Sequence, residues 1–155
     1  MSETIGLISD THGLLRPEAV EALRGCDRII HAGDVGSADV LARLRDLAPT
    51  VAVRGNVDVG PWAAALPRSK VVELGGHAIY VIHILADLDL QRAPAGVGAI
   101  ISGHSHKPSI EDRADVLYVN PGSAGPRRFR LPISVARLSL VDGRLHARIV
   151  ELDVA

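Results

Sequence analysis

The sequence predicts an α/β fold of two packed, mixed β-sheets flanked by helices, with residues 1–155 forming one domain. Three observations lead there. As far as Val53, short apolar runs alternate with stretches of helical periodicity, the order that builds right-handed crossovers and a parallel sheet. Beyond Gly55 the alternation gives way to apolar runs paired across Gly-Gly and Asp-Gly, a hairpin signal. The 155 residues are 47% apolar but only 3% aromatic, so the core is made chiefly of Val, Ile, Leu and Ala, which suits buried parallel strands.

Each element follows from its residues. Ile5 to Ser9 is a buried strand ending at Asp10, and Arg28 to Ala32 is a second, ending at Gly33-Asp34. Between them a helix opens at Pro17, where a missing N–H costs nothing, runs through Leu23 and stops before Gly25. Ser37 to Leu47 sets Val40, Leu41, Leu44 and Leu47 at helical spacing, and Pro49 marks the end. Val51 to Val53 is the third strand. Lys70 to Leu74 and His77 to His83 then form a hairpin about Gly75-Gly76; Ala99 to Ile101 is a further apolar run; Ile133 to Val141 pairs with Arg144 to Leu152 about Asp142-Gly143.

Composition narrows the function. A formal charge of -1 provides no global attraction for nucleic acid or anionic membranes, so any phosphate-binding charge is local. The single cysteine, Cys26, rules out an internal disulfide framework and a multi-cysteine zinc site. Met1-Ser2-Glu3-Thr4 lacks the basic and apolar regions of a signal peptide, and no segment has the apolar length of a membrane span, so the expectation is a cytoplasmic protein.

Chemistry-bearing residues gather at strand ends. Ser9-Asp10-Thr11-His12 follows the first run, Gly33-Asp34 the second, Gly55-Asn56 the third, His83 the fourth, and Gly103-His104-Ser105-His106 the fifth. Taken alone, the aspartate and asparagine motifs read more simply as turns or caps, and His83 as readily as a core histidine. Five successive runs each ending in an oxygen or imidazole donor are not explained by turns. Two carboxylates, one amide and four imidazoles suit two borderline divalent ions. His31, three positions before Asp34, reads as a supporting residue rather than a ligand. His77 and His146 read as surface residues of hairpins. Arg127, Arg128 and Arg130 form a basic cluster, read either as a solvated loop or as a phosphate contact.

The ordered set Asp-x-His, Gly-Asp, Gly-Asn, His and Gly-His-x-His resembles the calcineurin-like metallophosphoesterase superfamily over almost the whole chain. Ile8-Ser9-Asp10-Thr11-His12-Gly13, Ile30-His31-Ala32-Gly33-Asp34, Val53-Arg54-Gly55-Asn56-Val57-Asp58 and Asn120-Pro121-Gly122-Ser123 are similar to its small single-domain phosphodiesterase branch. The resemblance implies a four-layer αββα sandwich and a phosphodiesterase with a dinuclear centre and a bridging hydroxide. Asp10, His12 and His106 would hold one ion and Asn56, His83 and His104 the other, with Asp34 shared. Asp34 and Asn56 would be the catalytic positions, and Asn56 with Arg54 would meet the substrate. The ions would be manganese first, with iron, zinc, nickel or magnesium as alternatives. The substrate would be a small phosphate ester, with nucleic acid entering only as substrate.

The chain departs from larger relatives at two places. They often carry a proton-donating histidine directly after Gly-Asn, where this chain has Val57 and then Asp58; they often follow the strand-end histidine with glycine, where this chain has Ile84. The competing reading is a non-catalytic scaffold for protein assembly, as in a retromer subunit of this fold. That relative has lost part of the ligand set, whereas every ligand position is filled here. A metal-storage or metal-sensing protein is weaker still, for want of cysteine ligands.

Overall fold

The computed structural model describes residues 3–89, 91 and 95–154. The amino-terminal reading rests partly on Met1 and Ser2, which lie outside them. The strands are β1 (Thr4–Ile8), β2 (Arg28–His31), β3 (Thr50–Ala52), β4 (Ser69–Leu74), β5 (His77–Ile82), β6 (Val97–Ile101), β7 (Ser109–Arg113), β8 (Val116–Asn120), β9 (Ser134–Val141) and β10 (Arg144–Glu151); the helices are α1 (Pro17–Leu23) and α2 (Ala38–Arg45).

Two five-stranded sheets result, ordered β10-β9-β1-β2-β3 and β4-β5-β6-β8-β7. Both are mixed. β1, β2 and β3 run parallel, as do β5, β6 and β8, with antiparallel strands completing each sheet. The parallel strands therefore point their carboxyl ends the same way within each sheet, which gathers the loops after β1, β2 and β3 and those after β5 and β6.

Between the sheets lies an apolar layer to which both contribute, including Ile5, Leu7, Ile30, Val53, Leu74, Ile79, Val81, Ile101 and Leu138. Ile8 and Ile29 face the other way and pack with Leu23, Leu41 and Leu44 of the two helices. Strands buried on both faces read as unbroken apolar runs for this reason. α1 begins on Pro17 and gives way to Gly25 at φ +81. α2 places Asp39 in its first turn and Arg43 and Arg45 in its last, complementing the helix dipole. The second sheet's outer face carries Tyr80, Ile82 and Ile100, covered by Leu85 and Leu88 from a short 3₁₀ turn rather than by an α-helix among the described residues.

Both anticipated hairpins form, with Gly75 and Gly76 at φ +53 and +84, and Asp142 and Gly143 at +50 and +78. Positive φ at both central residues gives the turn twist that matches the strands. His77, read as a surface residue, donates a hydrogen bond at 2.9 Å to the Gly143 carbonyl and so links the two turns. His146 is exposed. Among the described residues no helix is long and apolar enough to cross a membrane.

Candidate metal centre

All seven anticipated donors converge at the strand ends. Asp10, His12 and His106 form one group and Asp34, His83 and His104 another, each with one ligand atom per residue within 4.8 Å of the others. Asp34 Oδ2 stands 3.1 Å from His83 Nε2 and 3.8 Å from His12 Nε2, so it reaches toward both groups. Asn56 Oδ1 lies 3.0 Å from His83 Nε2 and 3.1 Å from His104 Nδ1. Asp10 Oδ1 faces the Nε2 atoms of His106, His12 and His83 at 3.4, 3.8 and 3.9 Å. Asp10, Asp34, His83 and His106 are buried, while Asn56 and His104 open to solvent.

The donor chemistry fits a cation. His83 turns Nδ1 to the Ala32 carbonyl at 2.7 Å, which makes Nδ1 the protonated nitrogen of the neutral ring and leaves the Nε2 lone pair facing Asp34 Oδ2 and Asn56 Oδ1. Asp10 Oδ1 is buried without a hydrogen-bond partner among the described residues. Lone pairs facing one another repel unless a positive charge lies between them. Donor separations of 3.1–3.9 Å also match the edges of a coordination shell with bonds of about 2.0–2.2 Å.

The electrostatics agree. Burial alone would raise the Asp34 carboxyl, but His83, the Val57 N–H and His12 outweigh it and hold the group down at about 2. Burial is the largest influence on Asp10 and pushes it up, against Ser9, His83 and His106. Burial likewise opposes the charge on His83, yet Asp34 and Asp10 raise it. A cation placed among them would favour the charged form of both carboxylates and the neutral, lone-pair-bearing form of the His83 ring.

The backbone is bent to serve this arrangement. Asp10, His12, Asp34, His104 and His106 all have positive φ, between +48° and +72°, and make up five of the nine non-glycine residues in that region among those described. Each such residue costs on the order of 1 kcal/mol. Close approach is equally demanding: a Cβ on Gly55 would collide with the Asp34 carboxylate, and one on Gly103 with Ser9 Oγ and Asp10 Oδ2.

Several supporting residues escape the sequence reading. Asp58, considered there only beside the missing acid, is 1% exposed and accepts hydrogen bonds from the N–H groups of Val35, Gly36 and Gly55, so it clamps the β3 loop to the β2 loop. Asn120 donates to the Gly103 carbonyl and Ser105 Oγ and accepts from Gly122 N–H, shaping the His104–His106 loop. Ser123 Oγ donates to the Asp10 carbonyl. The signal for these two lies in the Asn-Pro-Gly-Ser motif. Arg54, expected at the substrate, is exposed and donates through Nε to the Asp58 carbonyl at 3.1 Å; with Asn56 and Arg68 it lines a cleft of about 290 Å³ beside the second group.

His31 is fully buried, and both its ring nitrogens are bonded outside the two donor groups. Gly33 N–H donates to its Nδ1, so Nε2 carries the proton and donates to Thr11 Oγ1, which donates to the Val35 carbonyl. This chain of bonds ties the β1 loop to the β2 loop. Burial first, then the neighbouring His83, pushes the ring down to about 3. Below pH 6.5 the unfolded chain takes up a proton that the folded one refuses until about pH 3. Stability from this group is thus complete above 6.5 and falls with pH across that window, by up to about 1.4 kcal/mol per unit. In NMR titration of metal-free protein the His31 ring is expected to stay neutral from pH 8 to 4; a midpoint above 5 would contradict the assignment.

Comparison with known proteins agrees with this geometry. A family model described as a calcineurin-like phosphoesterase superfamily domain matches residues 4–143. A probable metallophosphoesterase of Methanocaldococcus jannaschii is 39% identical over 163 aligned residues, covering 96% of this chain and 81% of the relative. A solved archaeal phosphodiesterase superposes with a TM-score of 0.77 at 23% identity, covering 95% of this chain and 99% of its own. Zinc-bound Vps29 of Entamoeba histolytica has the same fold, at TM-score 0.70 and 22% identity over 96% and 98% of the two chains.

Proposed function

The chain belongs to the calcineurin-like phosphoesterase superfamily, whose members are metal-dependent hydrolases of phosphate esters, and we propose that within it this protein is a phosphodiesterase working through two divalent ions. The observation that carries the reading is the convergence of oxygen and imidazole donors into two groups, with Asp10 Oδ1 buried and without a hydrogen-bond partner among the described residues, an arrangement that bound cations would satisfy. Asp10, His12 and His106 would hold the first ion, Asn56, His83 and His104 the second, and Asp34 would serve both. Manganese is the first ion to test, since oxygen and imidazole donors without thiolate suit it.

Ions held there supply Lewis acidity toward a phosphoryl group and make water nucleophilic near neutral pH. The protein's own residues do the rest. Asp34 stays anionic throughout the working range. Asn56 directs its oxygen inward and leaves its amide nitrogen to donate to a phosphate oxygen. Arg54 offers the terminal nitrogens of its guanidinium to the adjoining cleft. The likeness to an archaeal phosphodiesterase supports diesters as substrates. Against the scaffold reading stands the complete donor set, held on strained backbone that assembly alone would not require.

The test is turnover of bis(p-nitrophenyl) phosphate by stripped protein with and without manganese. No manganese-dependent hydrolysis would refute the reading. Metal is also expected to stabilise the fold, because loops from five strand ends meet only in the native state. At a free ion concentration 100 times Kd the gain is about 2.7 kcal/mol, a rise in Tm of roughly 5–10 °C by calorimetry. An unchanged midpoint after verified removal would argue against convergence on an ion.

A further inference from the structure

Resting on the two-ion reading, we propose that the preferred substrate is a nucleoside-bearing phosphoanhydride, with its base stacked on Phe129 and its two phosphates flanked by arginines on both sides of the centre.

The loop after β8 carries the first half of the case. Its Ala124 N–H donates to the Ser9 carbonyl, and Ser123 Oγ to that of Asp10, so it departs directly from the wall of the first donor group. Arg16 fixes its base through the Gly125 carbonyl. Beyond that anchor, Phe129, the chain's single phenylalanine, is 91% exposed at φ +54. A bare aromatic ring presents a free π face to a ligand. Arg127, Arg128 and Arg130 surround it in sequence, and no acid lies between Asp115 and Asp142. Neither the Arg128 nor the Arg130 guanidinium has a hydrogen-bond or ion-pair partner among the described residues. An aromatic face beside the two open guanidiniums of Arg128 and Arg130 is the chemistry that holds a base and its phosphate.

The second half concerns the leaving group. The position after Asn56 is Val57, and the Asp58 carboxylate is fully engaged by backbone N–H groups. A sugar alkoxide leaves poorly without an acid, whereas a phosphate monoester, with a pKa of about 6, leaves as a weak base. A water oxygen would form the new bond to one phosphorus. The P–O–P bond would break with its electron pair going to the departing phosphate, giving two phosphate monoesters and releasing protons to solvent. Arg128 and Arg130 would meet the phosphate on the first group's side; Arg54 and Arg68, in the cleft by the second, would meet the other.

The test compares three probes with manganese-loaded protein: diadenosine diphosphate, the dinucleotide adenylyl-adenosine, and inorganic pyrophosphate. Diadenosine diphosphate is expected to exceed both others in kcat/KM by at least about 100-fold, since adenylyl-adenosine lacks the good leaving group and pyrophosphate the base. Phe129→Leu should lower that preference about 10-fold through KM, and Phe129→Trp should retain it, because stacking needs a π face. Retained manganese stoichiometry in both variants shows that the centre has formed. Equal cleavage of adenylyl-adenosine, an unaltered KM in Phe129→Leu, or no cleavage of diadenosine diphosphate by protein that turns over bis(p-nitrophenyl) phosphate would each overturn the proposal. Loss of self-association in Phe129→Leu with no change in KM would overturn it in favour of a protein contact. Failure on bis(p-nitrophenyl) phosphate itself would instead count against the two-ion reading.

Discussion

Asp34→Asn is expected to lower kcat/KM for an aryl phosphodiester by at least about 10³-fold, some 4 kcal/mol of transition-state stabilisation, and to weaken both ions at once. Asp34 Oδ2 reaches toward His83 and His12, which belong to different donor groups, and on the proposed reading one anionic oxygen so placed would be the ligand shared by two neighbouring cations. The asparagine form is preferable to alanine. Its Oδ1 still accepts the Val57 N–H bond seen at 3.0 Å, so the loop is preserved while the charge is lost. His12→Ala, by contrast, should spare the second ion. Elemental analysis beside kinetics decides the matter, since full occupancy of both ions in Asp34→Asn would remove the basis for a shared ligand.

Rate should also fall steeply with the basicity of the leaving group. General acids typically contribute about 10²–10⁴-fold, so alkyl diesters are expected to react slower than nitrophenyl diesters by at least that factor. Asp58 does not rescue them. Both its oxygens are engaged by the N–H groups of Val35, Gly36 and Gly55, and an asparagine in its place would turn an amide N–H₂ toward those donors. Asp58→Asn is therefore expected to lose about 1–3 kcal/mol of stability while leaving the slope of log rate against leaving-group pKa intact. A flat series in the parent, or a slope that steepens only in Asp58→Asn, would reveal an acid after all.

The sequence reads well where pattern and physics coincide. β1, β2 and β3 lie largely in the interior and so appear as plain apolar runs, and α1 begins and ends on Pro17 and Gly25 as expected. Nothing in the pattern announces the hairpin of β7 and β8. β7, Ser109–Arg113, is exposed along its length and carries three charges, which protects an edge from pairing with other chains but erases any alternation. Its turn uses Ala114 and Asp115 at positive φ, with no glycine to mark it. At the site the donors are legible because each closes an apolar run. The clamps are not, since Asp58, Thr11 and Asn120 act on backbone groups distant in sequence, and only the fold brings those within reach.

The left-handed backbone at Asp10, His12, Asp34, His104 and His106 has an evolutionary corollary. Glycine adopts that conformation without the steric cost that an L side chain carries. At five places, then, folding alone would drift toward glycine, and on the proposed reading the hold on an ion would oppose that drift. A lineage that abandoned catalysis would be free to relax there first, so glycine arriving at these positions in a relative would be the mark of a chain that no longer holds ions.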